Sequence, residues 1–188
     1  LLASPVLPQH LDPALIDRLP EASGVYVLHG EDNHVLHVGK ANNLKSHVQN
    51  YFRLDRTSAK ALAISHRITN ITWRVTLGTL GAQLQHAALS KALLPARKAL
   101  AGKSAALKPL QLPAWPYAGP IGVRERADLH IIDDWRYLGT ANCEADVYSV
   151  LQTRPPDFDE EIFALLAKRL PRLSHKQIIQ LPGHERTL

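Results

Sequence analysis

The stretch that decides the fold is Gly24-Val25-Tyr26-Val27-Leu28-His29-Gly30-Glu31-Asp32-Asn33-His34-Val35-Leu36-His37-Val38-Gly39-Lys40. Apolar, β-branched and aromatic residues lie on both sides of a polar segment, Gly30–Asn33, that is rich in turn formers. This pattern predicts a β-hairpin. Tyr26 then lies on the first strand and His37 on the second.

The residues around the hairpin predict the other elements of one small domain. A helix should follow with Asn42 or Asn43 as its cap, and its apolar face comprises Leu44, Val48, Tyr51 and Phe52. Further elements are predicted over Pro13–Leu19 (helix), Ser58–Arg67 (helix), Ile71–Thr76 (strand) and Thr79–Leu94 (helix). The order β-β-α-α-β-α predicts an α/β (α+β) domain, a small sheet flanked by helices.

A second, smaller α+β unit is predicted after a linker. Leu129–Ile132 and Trp135–Gly139 alternate like the strands of a hairpin around Asp133-Asp134, and Asp157 with Glu160 predicts a capped helix to Leu170. We therefore expect four segments in this 188-residue chain. They are an N-terminal linker with a short helix (1–19), the first domain (20–98), a linker (99–112) and the second unit (113–188).

Composition limits the classes of function. The formal net charge of +5 favours a polyanionic partner such as DNA. Cys143 is the only cysteine, which excludes an internal disulfide and a cysteine-based zinc cluster. The chain has no apolar run of membrane-spanning length and no signal pattern, which predicts a cytoplasmic protein. It also contains no methionine, and its opening, Leu1–Pro8, has the composition of a linker that follows another segment.

Residues 23–52 resemble the opening of the GIY-YIG nuclease domain, especially its UvrC and Cho branch in nucleotide excision repair. That family reads roughly P-G-V-Y, then Y-V-G-K-A-x-N-L-x-x-R-V, then Y-F; this chain has Gly24-Val25-Tyr26, Val38-Gly39-Lys40-Ala41-Asn42-Asn43-Leu44 and Tyr51-Phe52. The resemblance extends over about residues 20–98. Trp115–Gly122 and the Trp135–Gly139 strand resemble the C-terminal region of bacterial exonuclease–UvrC-like fusion proteins.

The resemblance implies cleavage of one DNA strand with a divalent metal, Mg²⁺ or Mn²⁺. Tyr26 falls on the family's first tyrosine, Lys40 on a lysine of the UvrC branch, and Tyr51 on a helix tyrosine. Three catalytic positions differ. The second tyrosine is His37, the arginine is His47, and the metal-binding glutamate is His86.

These histidines change the expected chemistry. Mg²⁺ prefers oxygen ligands, and neutral imidazole does not replace a charged guanidinium. No Asp or Glu occurs between Asp55 and Glu125, so no carboxylate near His86 in sequence can substitute. Degraded nuclease activity is expected. Drift after relaxed selection explains the three histidines most simply, and the competing hypothesis is a Zn²⁺ site built from His37, His47 and His86.

The basic residues of the first domain predict a DNA-binding patch, for which the competing interpretation is a solvated helical face. They are Lys40, Lys45, Arg53, Arg56, Lys60 and Arg67. The preferred function is a DNA-repair-related module that binds DNA with degraded endonuclease activity. One alternative is an active variant nuclease that uses Tyr26 with His37 as base and Lys40 in place of the arginine. Another is a non-enzymatic interaction domain of a polymerase or exonuclease assembly.

Overall fold

The computed structural model describes residues 7, 10–54, 63–94 and 112–183. The chain divides into two compact units, Leu1–Leu93 and Leu94–Leu188, which are described separately. Both contain an antiparallel sheet with helices, which confirms the predicted mixed α+β class. Among the described residues, no helix is both long and apolar enough to cross a membrane.

Unit 1 contains the predicted hairpin in a three-stranded sheet of order β2-β1-β3. Its elements are α1 (Pro13–Arg18), β1 (Gly24–His29), β2 (Val35–Ala41), α2 (Leu44–Leu54), β3 (Asn70–Val75) and α3 (Thr79–Leu93). Both neighbours of β1 are antiparallel to it. The helix predicted over Ser58–Arg67 lies partly outside the described residues, which begin again at residue 63. Residues 63–65 are helical.

Local hydrogen bonds explain where the first two helices begin. Asp12 Oδ1 accepts a hydrogen bond from the backbone N–H of Ala14 at 2.9 Å. Pro13 fits the first helical position because it has no N–H that would need an acceptor there. Asn43 Oδ1 accepts from Ser46 N–H at 3.0 Å, so Asn43 caps α2. The cap fixes the direction in which α2 leaves the hairpin.

Strand pairing decides which side chains share a face of the sheet. Tyr26 is opposite Gly39 on β2 and Trp73 on β3, and Leu28 is opposite His37. Because side chains alternate along a strand, Tyr26, His37 and Trp73 lie on one face. Leu44, Val48 and Phe52 of α2 are fully or almost fully buried in the core cluster of that face. Val25 and Val27 point to the other face and are buried too, and α3 contacts both β1 and β2.

Unit 2 is a four-stranded antiparallel sheet of order β6-β5-β4-β7. Its elements are β4 (Ile121–Glu125), β5 (Asp128–Asp133), β6 (Arg136–Ala141), α4 (Glu144–Gln152), α5 (Glu160–Arg169) and β7 (Ile178–Gln180). The predicted hairpin is present as β5 and β6. One detail was wrong: Asp159, not Asp157, caps α5, and its Oδ1 accepts from Glu161 and Ile162 N–H.

Three tryptophan and tyrosine side chains of unit 2 pack against one another. The ring centroid of Trp115 lies 5.0 Å from that of Tyr117 and 5.2 Å from that of Trp135. Each indole N–H also donates to a backbone carbonyl, that of Trp115 to Gly119 and that of Trp135 to Pro113. These contacts attach the segment before β4 to the sheet, which is a packing role.

Candidate nucleic-acid site

Tyr26 is the centre of an aromatic and imidazole cluster on the α2 side of the sheet. Its ring centroid lies 5.9 Å from that of His37 and 5.6 Å from that of His47. His37 in turn stacks on Tyr51 at 6.3 Å. Strands β1 and β2 and helix α2 thus bring together Tyr26, His37, His47 and Tyr51, the predicted residues of the hairpin and first helix.

Gly39 provides the space that Tyr26 occupies. A Cβ atom at position 39 would lie 2.3 Å from Cζ and 2.4 Å from the hydroxyl oxygen of Tyr26. No side chain fits there, so the tyrosine ring covers the backbone of β2 at this point. Gly39 therefore serves to seat Tyr26 and not to form a turn.

Tyr26 is poorly suited to act as a base. Only 2% of the residue is exposed. Burial, with a smaller contribution from Tyr51, raises the pKa of Tyr26 to about 12. A general base works best when its pKa is near the operating pH. At neutral pH the phenol therefore stays protonated and can donate a hydrogen bond.

A cavity of about 430 Å³ opens where the end of β2 meets α2 and α3. Its lining residues are Lys40, Ala41, Asn42, His47, Thr79, Ala82 and Gln83. Lys40 and His47 are both exposed, so their polar heads reach solvent at this opening. The lining contains a cation and several neutral polar groups, and no carboxylate.

His86 is tied to the strand that carries His37. Its Nε2 lies 3.2 Å from the backbone carbonyl oxygen of Val38. A carbonyl oxygen can only accept, so Nε2 must carry the hydrogen in this contact. That nitrogen is unavailable as a metal ligand while the bond exists.

These residues do not fit the divalent metal that the family uses. Within the described residues no group of three or more His, Cys, Asp or Glu side chains is placed to hold a metal ion. His37, His47 and His86 do not form such a group, so this arrangement does not support the Zn²⁺ site predicted from them. The cavity does not suit Mg²⁺ or Mn²⁺ either. These cations need carboxylate oxygens as ligands, and the cavity offers the ammonium group of Lys40 instead.

The predicted basic patch is spread over the domain. Lys40 lines the cavity. The ammonium group of Lys45 instead donates a hydrogen bond to the backbone carbonyl of Asp17 on α1, at 3.2 Å. Arg67 lies near the turn end of the hairpin, because Thr69, two residues later, donates its N–H to the carbonyl of His29. Lys40 is at the other end of β2, about 17 Å away at the usual rise per strand residue. Arg53 is exposed on α2, and Arg56 and Lys60 lie outside the described residues.

The α3 residues and Asn42 were not predicted to be part of this cavity. Thr79, Ala82 and Gln83 enter it only because the first turns of α3 pack beside the end of β2. Their spacing of three and four residues places them on one face of a helix. That spacing was the only sign in the sequence that they lie together.

Two family models match the chain, one in each unit. Residues 22–96 match the UvrC-like GIY-YIG domain, and residues 120–185 match the excinuclease Cho C-terminal domain. The two matches are independent of each other, and together they account for most of the described residues. The first includes every residue of the cluster and the cavity.

Similar proteins match part of the chain. UvrABC system protein C of Borrelia duttonii is 45% identical over 56 residues, 30% of this chain and 9% of that protein. The same protein of a Wolbachia from Brugia malayi is 36% identical over 80 residues, 43% of this chain and 13% of that protein. The chain thus spans a small part of the length of these relatives.

A solved structure covers a similar region. The GIY-YIG N-terminal endonuclease domain of UvrC from Thermotoga maritima, bound to magnesium as its catalytic divalent cation, is 22% identical, with a TM-score of 0.39. The likeness covers 45% of this chain and 94% of that domain.

Proposed function

We propose, for a chain that carries a UvrC-like GIY-YIG domain at residues 22–96 and an excinuclease Cho C-terminal domain at residues 120–185, a DNA-binding role in DNA repair with degraded endonuclease activity. The single observation behind this proposal is the composition of the cavity at the end of β2. Its lining includes a lysine, Lys40, which supplies a positive charge for phosphate, and contains no carboxylate for a metal.

The cavity suits a phosphodiester group. The ammonium of Lys40 offers three hydrogen-bond donors and a positive charge, and the Asn42 amide offers two more donors. Thr79 begins α3, a helix of 15 residues, so the partial positive charge of the helix N-terminus adds to the field of Lys40. Together these groups bind an anion without a metal ion.

Several features oppose hydrolysis in the same place. Tyr26, with its pKa near 12, does not accept a proton at neutral pH. His47 replaces a permanently charged, bidentate guanidinium with an imidazole that presents one ring edge. Without that guanidinium or a metal, only Lys40 and the N-terminus of α3 remain to stabilise the negative charge that develops on the phosphate during cleavage. The active-variant alternative uses Tyr26 with His37 as base and Lys40 in place of the arginine. The high pKa of Tyr26 opposes the part that this tyrosine would play in it.

The test is binding of the full chain to a fluorescent DNA duplex, measured by anisotropy over a range of salt concentrations in EDTA. We expect weak binding that needs no divalent metal, with log affinity falling linearly with log salt. Lys40→Ala with Arg53→Ala should reduce the slope by about 0.9 for each phosphate that the variant no longer binds.

Arg74→Ala is the matched control, since Arg74 is exposed on β3 and does not line the cavity. Its slope should equal that of the unmodified protein. Absence of binding at low salt would reject the proposal in favour of a protein-interaction domain. Binding that requires Mg²⁺ would also reject it.

A further inference from the structure

Unit 2 contains a run of sequence without any acidic residue. No Asp or Glu occurs between Glu161 and Glu185, a stretch that includes the end of α5, the following turns and all of β7. Arg172 and Lys176 lie in this run, and both are exposed.

The fold adds a third cation to these two. Strand β4 pairs with β7, and the N–H of Arg124 donates to the carbonyl of Gln177 at 2.7 Å. Arg124 is therefore directly beside the residue that follows Lys176, although it is far away in sequence. Its side chain is exposed. We call Arg124, Arg172 and Lys176 the β7 basic strip.

The charge of the β7 basic strip is not neutralised within the described part of the chain, where none of its three members forms an ion pair. Arg136 shows the contrast, because its guanidinium contacts the Asp134 carboxylate at 2.6 Å. The nearest acid in sequence, Glu125, points to the other face of β4 from Arg124 and contacts His130 Nε2 at 3.2 Å. Glu160 and Glu161 begin α5, about 17 Å before Arg172 at the helical rise per residue.

No large and strongly exposed hydrophobic residue adjoins the strip. The large hydrophobic residues that are exposed among the described residues are Val75, Leu93, Leu112 and Tyr148, and none of them adjoins the strip in sequence or pairing. Protein interfaces are enriched in aromatic residues and depleted of lysine, whereas DNA phosphates are bound by Lys and Arg side chains at a polar surface.

We propose that the β7 basic strip is a second DNA contact, which binds backbone phosphates of duplex DNA without reading base sequence. It is separate from the cavity of unit 1, and it relies on the proposed function only for the identity of the ligand. Unpaired surface cations beside an edge strand supply the charge, and release of counterions from DNA supplies the affinity.

The experiment uses the full chain, a duplex without lesions and the same anisotropy titration over salt. The variant is Arg124→Ala, Arg172→Ala and Lys176→Ala combined. The control, Arg136→Ala with Arg154→Ala, removes charge from the same unit outside the strip. A second variant, Arg124→Lys with Arg172→Lys, keeps the charge, and thermal unfolding verifies that each variant is folded.

We expect the alanine variant to lower the salt slope by about 2.7, or about 0.9 for each of three phosphates, while the control and the charge-keeping variant bind as the unmodified protein does. A slope unchanged by the alanine variant, with the slope still reduced by Lys40→Ala and Arg53→Ala, would overturn the strip and leave the unit 1 proposal intact. A loss of about 1.8 in the control, or about 0.9 for each of its two charges, would also overturn it, since net charge alone would then explain the effect. An unmodified protein that binds no DNA would overturn both proposals.

Discussion

Gly39 and Tyr26 face each other across paired strands with no space for a side chain between them: a Cβ at 39 would lie 2.3 Å from Cζ of Tyr26. Gly39→Ala should therefore destabilise unit 1 by about 1–3 kcal/mol, because either the ring or the strand must move. Urea unfolding measures the loss. In a Tyr26→Leu background, the same change should cost clearly less. Equal costs in the two backgrounds would show that backbone effects at position 39 dominate.

Tyr26 predicts an alkaline limit to stability. Its pKa is raised from 10.0 to about 12, mainly by burial, so the folded protein keeps a proton that the unfolded chain loses first. The stabilisation is complete below pH 10, and it is lost as the pH rises towards 12, by about 3 kcal/mol in total. Unfolding free energy measured over this range should fall more steeply for the unmodified protein than for Tyr26→Phe. Parallel curves would contradict the pKa.

Nicking of branched or damaged DNA in Mg²⁺ or Mn²⁺ should be at background. An arginine that stabilises transferring phosphate contributes about 10³–10⁵ to kcat in related chemistry, and a metal contributes several kcal/mol more. His47→Arg combined with His86→Glu should restore measurable nicking, whereas neither change alone should, because charge stabilisation and metal binding act as a unit. Nicking by the unmodified protein that is lost on Tyr26→Phe would refute degraded activity.

The hydrogen bonds of His130, the buried histidine of unit 2, predict that a substitution at Thr140 destabilises this unit. His130 is 0% exposed, and its Nε2 contacts the Glu125 carboxylate while its Nδ1 contacts Thr140 Oγ1 at 2.8 Å. The hydroxyl of Thr140 also bonds that of Tyr137, so it links two largely buried side chains. Thr140→Val removes that hydroxyl at nearly constant shape and should cost about 1–3 kcal/mol.

Thr153→Val is the control for this experiment, since its hydroxyl makes only a local, exposed bond to Val150. It should cost less than Thr140→Val in urea unfolding. The reverse order would mean that the buried network adds little.

The hairpin of unit 1 could be predicted because local rules agree along it: two-residue alternation, a turn of four polar residues and Asn43 as the next cap. Helix α4 was missed because it buries little. Leu151 is its only buried residue, and Cys143 makes no side-chain bond at its start. Strand β7 was missed because Ile178–Gln180 is short and pairs with β4, more than fifty residues earlier.

The cluster around Tyr26 could be predicted from the sequence, whereas the cavity could not. Tyr26, His37 and His47 lie on the hairpin and the helix after it, so motif and register were enough to place them together. The cavity needed Thr79 and Gln83 from α3, whose approach to the end of β2 is a tertiary contact. No pattern in the sequence specified which nitrogen of His86 would bind the Val38 carbonyl.

The bond from His86 to Val38 limits which residues position 86 can accept. A carboxylate introduced by His86→Glu would bring acceptor oxygens towards a carbonyl that now receives a hydrogen, so two acceptors would repel. The His86→Glu variant should be less stable than the unmodified protein. Added Mg²⁺ should recover part of the lost stability only if neighbouring groups also coordinate the ion. His86 thus belongs to the scaffold of unit 1, and any substitution there alters the support of β2 together with the chemistry of the position.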